Sequence, residues 1–274
     1  MAVKTFFNYI KGEFFASDYA VQLSNNESVV ASTFVRTSGS VPLLLNYVLD
    51  SLQQQLLVLG NEIEINAVAL ENCLIKTLNK NRSLKGGIIK IEVVEIRQSE
   101  VSIDFRLFYQ SLDYYRFNLN KQGLTVDLFT FCPKPKGLLF AHPLACEFIF
   151  SLASRQLVEK NVDELILLNP SKRLACGIDS LVFLVRENCV LVINYDEGAI
   201  IHPMFSIIQE ITEKSGLKFL SNQKLTVDDI ELCDEMFIAD MQHGIRWVVA
   251  YRSKRFYNRT SLILSAALDK LAFS

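Results

Sequence analysis

Proline and glycine are scarce in this chain, at six and eleven of 274 residues. So few turn-formers exclude a low-complexity disordered chain and argue against a turn-dense all-β sandwich. Long apolar runs are missing as well. No stretch approaches the roughly 18 residues that would span a bilayer, and Glu147 breaks the run around Phe148 and Phe150. Neither sign of charge dominates: 28 basic and 30 acidic residues leave a net charge of −2. That balance removes the footprint of a dedicated nucleic-acid binder, so neither nucleic acid nor membrane is expected as a partner. The six cysteines (73, 132, 146, 176, 189 and 233) form no C-x-x-C. Several sit in apolar stretches, where free Cys acts as a small hydrophobe, and a reduced, cytoplasmic setting is expected. The start, Met1–Phe7, has no basic segment leading into an apolar one, so no signal peptide is expected. The acceptor patterns at Asn26, Asn81 and Asn258 are then read as unmodified. What remains is half hydrophobic and long enough for one large domain or two modest ones, with a core that needs neither disulfide nor metal.

Periodicity supplies the elements. Lys4–Ile10 and Val29–Arg36 read as strands around a loop at Leu23–Ser28. Pro42 opens a helix carrying Leu45, Val48, Leu49, Leu52, Leu56 and Leu59, closed by Gly60. A second helix is expected over 66–79, then strands at Ile88–Glu95, Val101–Tyr109 and Leu124–Phe131. Cys132–Gly137, with two prolines, reads as a linker. It separates a smaller α/β lobe (1–131) from a larger one (138–274). In the larger lobe Leu144, Phe148, Leu152 and Leu157 mark a long helix to Lys160, followed by a strand at Glu164–Leu168 and a hairpin, Leu181–Arg186 with Val190–Ile193. Pro203 starts a helix that Gly216 closes, Thr226 caps a short acidic helix, Glu235–Ala239 and Ile245–Tyr251 are strands, and Thr260 starts a last helix to Ala272. The fold class is α+β in two lobes.

Common catalytic signatures are absent: no G-x-G-x-x-G, Walker A, G-x-S-x-G or H-E-x-x-H. His142 and Cys146 share the i,i+4 spacing of two metal ligands, but with no third partner they read as buried helix residues, and no metal is expected. His202 and His243 lie on loops beside element ends, where sites often form; the plain reading of each is a loop histidine bonded to backbone or water. Tyr251–Tyr257 with Arg259 interleaves cations and aromatics in the manner of single-strand binders. Its plain reading is a solvated turn anchored by its aromatics, and the near-neutral chain favours that.

The second lobe carries a resemblance. Asn161–Asn169, Gly177–Val185, the helix after Pro203, Leu225–Ile238 and His243–Val248 together resemble the class IV fold of pyridoxal-phosphate enzymes. That family holds branched-chain and D-amino-acid aminotransferases and 4-amino-4-deoxychorismate lyase. Thr33–Arg36 and the helix to Gly60 match more loosely. The resemblance implies a two-lobe, D-amino-acid-aminotransferase-like fold, a homodimer, and a cleft that holds the cofactor. The family's chemistry uses a Schiff-base lysine, a glutamate against the pyridine nitrogen, and arginine with helix-start amides on the phosphate.

Carried over position by position, the lysine falls on Pro143, the glutamate on Cys176, and the two arginines on Met204 and Ser51. The resemblance therefore implies a degenerate member with no catalytic residue and no bound cofactor. Its cleft would present His142, His202, Asp240, Met241 and His243 to another small molecule. The alternative is an active aminotransferase or lyase that binds pyridoxal phosphate through a displaced lysine, for which Lys136 is the substitute.

Overall fold

The computed structural model describes residues 6–17 and 23–274. The chain forms two compact units, Met1–Arg116 and Phe117–Ser274. The division thus falls ahead of the expected linker at 132–137. The reason lies in strand pairing: Leu124–Leu128 joins the second unit's sheet, and Lys134, inside the supposed linker, is wholly buried there.

In the first unit the described strands are β1 (Phe7–Ile10), β2 (Glu13–Ala16), β3 (Glu27–Ser38) and β4 (Val41–Pro42), followed by helices α1 (Leu45–Val58) and α2 (Ala67–Lys80), then β5 (Gly86–Arg97) and β6 (Val101–Leu112). They form one sheet in the order β2-β1-β6-β5-β3-β4. The long β3–β5–β6 meander is antiparallel throughout. Its β-branched residues Val35, Ile89, Ile91 and Val93 are fully buried, as are Val48, Leu52 and Leu56 of α1 and Leu70, Leu74 and Leu78 of α2. Both helices therefore bury the apolar stripe that the 3.6-residue period marks. Pro42 does not open α1. It closes the β3–β4 hairpin opposite Thr37, and the helix starts after Leu44, whose left-handed φ of 56° turns the chain.

The second unit contains β7 (Leu124–Leu128), α3 (Leu138–Ala141), α4 (Glu147–Lys160), β8 (Glu164–Leu168), β9 (Leu174–Cys176), β10 (Leu181–Arg186), β11 (Cys189–Ile193), α5 (Met204–Lys214), β12 (Lys218–Gln223), α6 (Val227–Leu232), β13 (Glu235–Asp240), β14 (Gly244–Tyr251), β15 (Lys254–Arg255) and α7 (Arg259–Ala272). The sheet runs β12-β11-β10-β13-β14-β7-β8-β9, with β15 on β14. Its core is apolar on the central strands, where Phe183 and Phe237 stack at 4.8 Å between ring centroids. The long helix expected from Leu144 is two pieces, because Pro143–Cys146 forms a 3-10 turn ahead of α4. A strand that periodicity did not mark, β12, runs parallel to β11. Among the described residues no helix is long and apolar enough to cross a membrane.

One buried carboxylate ties helix to sheet. Glu235, at the start of β13, accepts from the backbone N–H of Thr260 (2.8 Å) and of Ser261 (3.2 Å) at the start of α7. It satisfies amides that no helical carbonyl can reach. Glu235→Ala is expected to destabilise the protein by about 2 kcal/mol. Urea unfolding followed by Trp247 fluorescence reads this; an unchanged midpoint would remove the carboxylate from that role.

Candidate functional site

β13 and β14 meet at a tight turn, Asp240–Gly244, and the turn is built around one side chain. Asp240 Oδ1 accepts from the backbone N–H of Gln242 (2.8 Å) and of His243 (2.7 Å), and His243 Nδ1 lies 3.0 Å from it. Because a carboxylate only accepts, that ring nitrogen carries the proton. Arg246, two residues into β14, sends Nη2 to Asp240 Oδ2 (2.9 Å) and to Glu164 Oε2 (3.2 Å) at the start of β8. Glu164 in turn accepts from the backbone N–H of Ile178 (3.2 Å). Strand pairing alone brings these four residues together, since β14 lies between β13 and β7, and β7 lies beside β8.

The electrostatics follow from burial and this pairing. Burial alone would raise the Asp240 carboxyl, but the His243 hydrogen bond and the Arg246 charge prevail and hold it at about 2. Burial raises Glu164, with Arg246 opposing. His202, just ahead of α5, is buried, and that pushes its imidazole down to about 4 despite the nearby Asp240 charge. It is therefore neutral at pH 7. Its Nδ1 accepts from the Met204 N–H at 3.1 Å, so the ring occupies the first turn of α5 where an external anion would otherwise find a free amide.

A second group of side chains meets this network through Glu164, whose charge bears on Cys176. Cys176 is wholly buried, which pushes its thiol up to about 12. Lys134 Nζ donates to the Phe140 carbonyl at 2.7 Å, and the Cys146 thiol approaches the same oxygen at 3.3 Å. Burial raises Cys146 too, with the Lys134 ammonium opposing. Pro143 is buried in the 3-10 turn, which His142 caps by accepting from Leu144 N–H at 3.3 Å.

Asp240 and His243 thus share one turn, Met241 is fully buried in it, and the Asp240 charge bears on His202. It places His142, Pro143 and Cys176 in the same unit, and Ser51 in the first unit on α1. Lys136 stands outside the cluster at the surface, 3.8 Å from Glu197. Among the described residues no three His, Cys, Asp or Glu side chains gather as metal ligands. In the Tyr251–Tyr257 segment, Tyr251 and Phe256 are buried while Tyr257 is exposed. Arg252 and Lys254 lie over the two buried rings, so those aromatics anchor the turn. Sequence reasoning missed Lys134, Arg246 and the role of Glu164. An arginine inside the apolar strand Gly244–Tyr251 and a glutamate opening Glu164–Leu168 were the available signals.

No known family and no curated protein matches the chain by sequence. Solved structures do match. A branched-chain aminotransferase from the thermophilic archaeon Thermoproteus uzoniensis, crystallised with norvaline, aligns over 98% of this chain and 95% of its own, with a TM-score of 0.82 at 12% identity. An aminotransferase from Brucella abortus bound to the cofactor PLP aligns over 98% and 100%, with a TM-score of 0.78 at 16% identity. A putative 4-amino-4-deoxychorismate lyase from Legionella pneumophila aligns over 94% and 95%, with a TM-score of 0.72 at 18% identity. The chain has the fold of the class IV aminotransferases. Within that fold it is similar to both the branched-chain aminotransferases and aminodeoxychorismate lyase.

The neutral, buried His202 makes stability depend on pH. The unfolded imidazole takes a proton below 6.5, whereas the folded one resists until about 4. Stability is therefore fully present above pH 6.5 and falls as pH drops from 6.5 to 4, by about 3 kcal/mol in all. His202→Asn keeps an acceptor for Met204 N–H and should flatten this window in urea titrations at several pH values. An unchanged slope would assign it to other groups.

Proposed function

We propose that this chain is a class IV aminotransferase- or aminodeoxychorismate-lyase-like protein that has given up pyridoxal-phosphate catalysis and keeps its polar cluster for structure or for another small molecule. The observation that carries this is Asp240. A carboxylate fixed as an anion in the β13–β14 turn, beside a helix start already capped by His202, repels a phosphate that would need those same amides.

The neighbouring positions agree. The resemblance assigns the imine-forming amine to Pro143, which has none, and the acid against the ring nitrogen to Cys176, whose neutral thiol supplies no charge. Met204, assigned to a phosphate arginine, is apolar and fully buried. The groups present do not fit the cofactor.

The competing reading, an active enzyme with a displaced lysine, draws on one observation. Lys134 is 0% exposed and sits near Cys146 and Cys176, whereas Lys136 is at the surface and pairs with Glu197. Incubation with pyridoxal phosphate, borohydride reduction and peptide mapping separate the two. The proposal expects no lysine to be labelled stoichiometrically; trapping on Lys134 or Lys136 would establish the active enzyme instead.

The proposal includes a homodimer. Its support is the apolar surface of α4, where Phe148 is 76% exposed and Val158 80% exposed. Sedimentation is expected to give a dimer that Phe148→Glu shifts at least tenfold toward monomer. A wild-type monomer would dismiss this part of the reading.

A further inference from the structure

The first unit contains a cavity of about 260 Å³ that shares no residue with the network around Asp240. Its walls come from three places: the turn after α2, the end of β6 with Asp113, and Phe6. The turn is fixed by its backbone. α2 is capped by Asn81, whose side chain holds both the N–H and the carbonyl of Phe7, at 2.7 and 2.8 Å. Arg82 then takes a left-handed φ of 49°, and the Lys85 carbonyl is held by Gly39 N–H at 2.9 Å. This places Arg82, Ser83 and Lys85 along one wall. The Tyr109 ring, which also lines the cavity, presses on Gly87, where an added Cβ would lie 2.5 Å from the ring. Phe6 packs against Tyr109 with 5.5 Å between centroids.

The chemistry of this cavity is specific. Arg82 and Lys85 add two cations against the single acid Asp113, and Phe6 with Tyr109 adds an aromatic surface. Cations beside aromatic rings match an oxyanion carried on a flat apolar body.

We propose that the cavity between the α2–β5 turn and the end of β6 binds a small aromatic carboxylate, held by Arg82 and Lys85 through its carboxylate and by Phe6 and Tyr109 through its ring. This site does not depend on whether the second unit is catalytic.

Calorimetric titration of the full chain with benzoate tests it. Saturable binding is expected with a dissociation constant on the order of 1 mM, a magnitude suited to so small a ligand. The Arg82→Gln/Lys85→Gln double variant should weaken it about tenfold, and neutral benzyl alcohol should bind about tenfold more weakly than benzoate. Both substitutions are at surface side chains, and circular dichroism checks that the variant is folded. The proposal is overturned by unsaturable titration, by benzyl alcohol binding as well as benzoate, or by a folded double variant that binds benzoate like the parent.

Discussion

The second unit depends on one guanidinium. Arg246 bridges Asp240 and Glu164, two carboxylates that would otherwise meet in the interior with like charge and little water. Its strand lies next to that of Asp240 and two strands from that of Glu164, so it joins the two halves of the sheet. β13 and β14 bring Asp240, while β7 and β8 bring Glu164. The pairing explains why the two acids diverge. Asp240 collects backbone and imidazole donors and stays ionised, whereas Glu164 has fewer donors and is raised by burial.

The surrounding residues extend this internal satisfaction. Amides and ring nitrogens that could face a ligand are already engaged by the protein's own groups: Gln242 and His243 N–H by Asp240, Met204 N–H by His202, Leu144 N–H by His142. The thiols of Cys146 and Cys176 are kept neutral by burial, so they behave as packing groups. A site arranged in this way has few free donors to offer an incoming ligand.

The main elements were legible where burial follows a simple period. α2, β5, β10, β11, β13 and α7 begin and end close to where alternation, caps and glycines put them. The misreadings share a cause, namely that local signals were overridden by long-range pairing. Pro42 looks like a helix opener but pairs with Thr37 across a hairpin. The prolines around Lys134 look like an exposed linker, yet the Lys134 N–H bonds the Leu168 carbonyl and the segment is drawn into the second unit. β12 is visible only through its parallel partner β11. Within the site, the sequence offered His202 and His243 as loop residues beside element ends, and Asp240 only through the family resemblance. Arg246 and Glu164 were not legible, since an isolated charge in a strand says nothing about the opposite charge 82 residues away that pairs with it.

The 3-10 turn at Pro143 has a consequence for how this segment can change. Proline's lack of a backbone donor, its fixed φ and the His142 cap make one rigid local unit. A lysine at this position would bring an amine but would also free the φ angle, so the turn ahead of α4 would loosen. The segment between α3 and α4 therefore tolerates little exchange: its course is set by a ring, and whatever replaces that ring must supply the rigidity by other means.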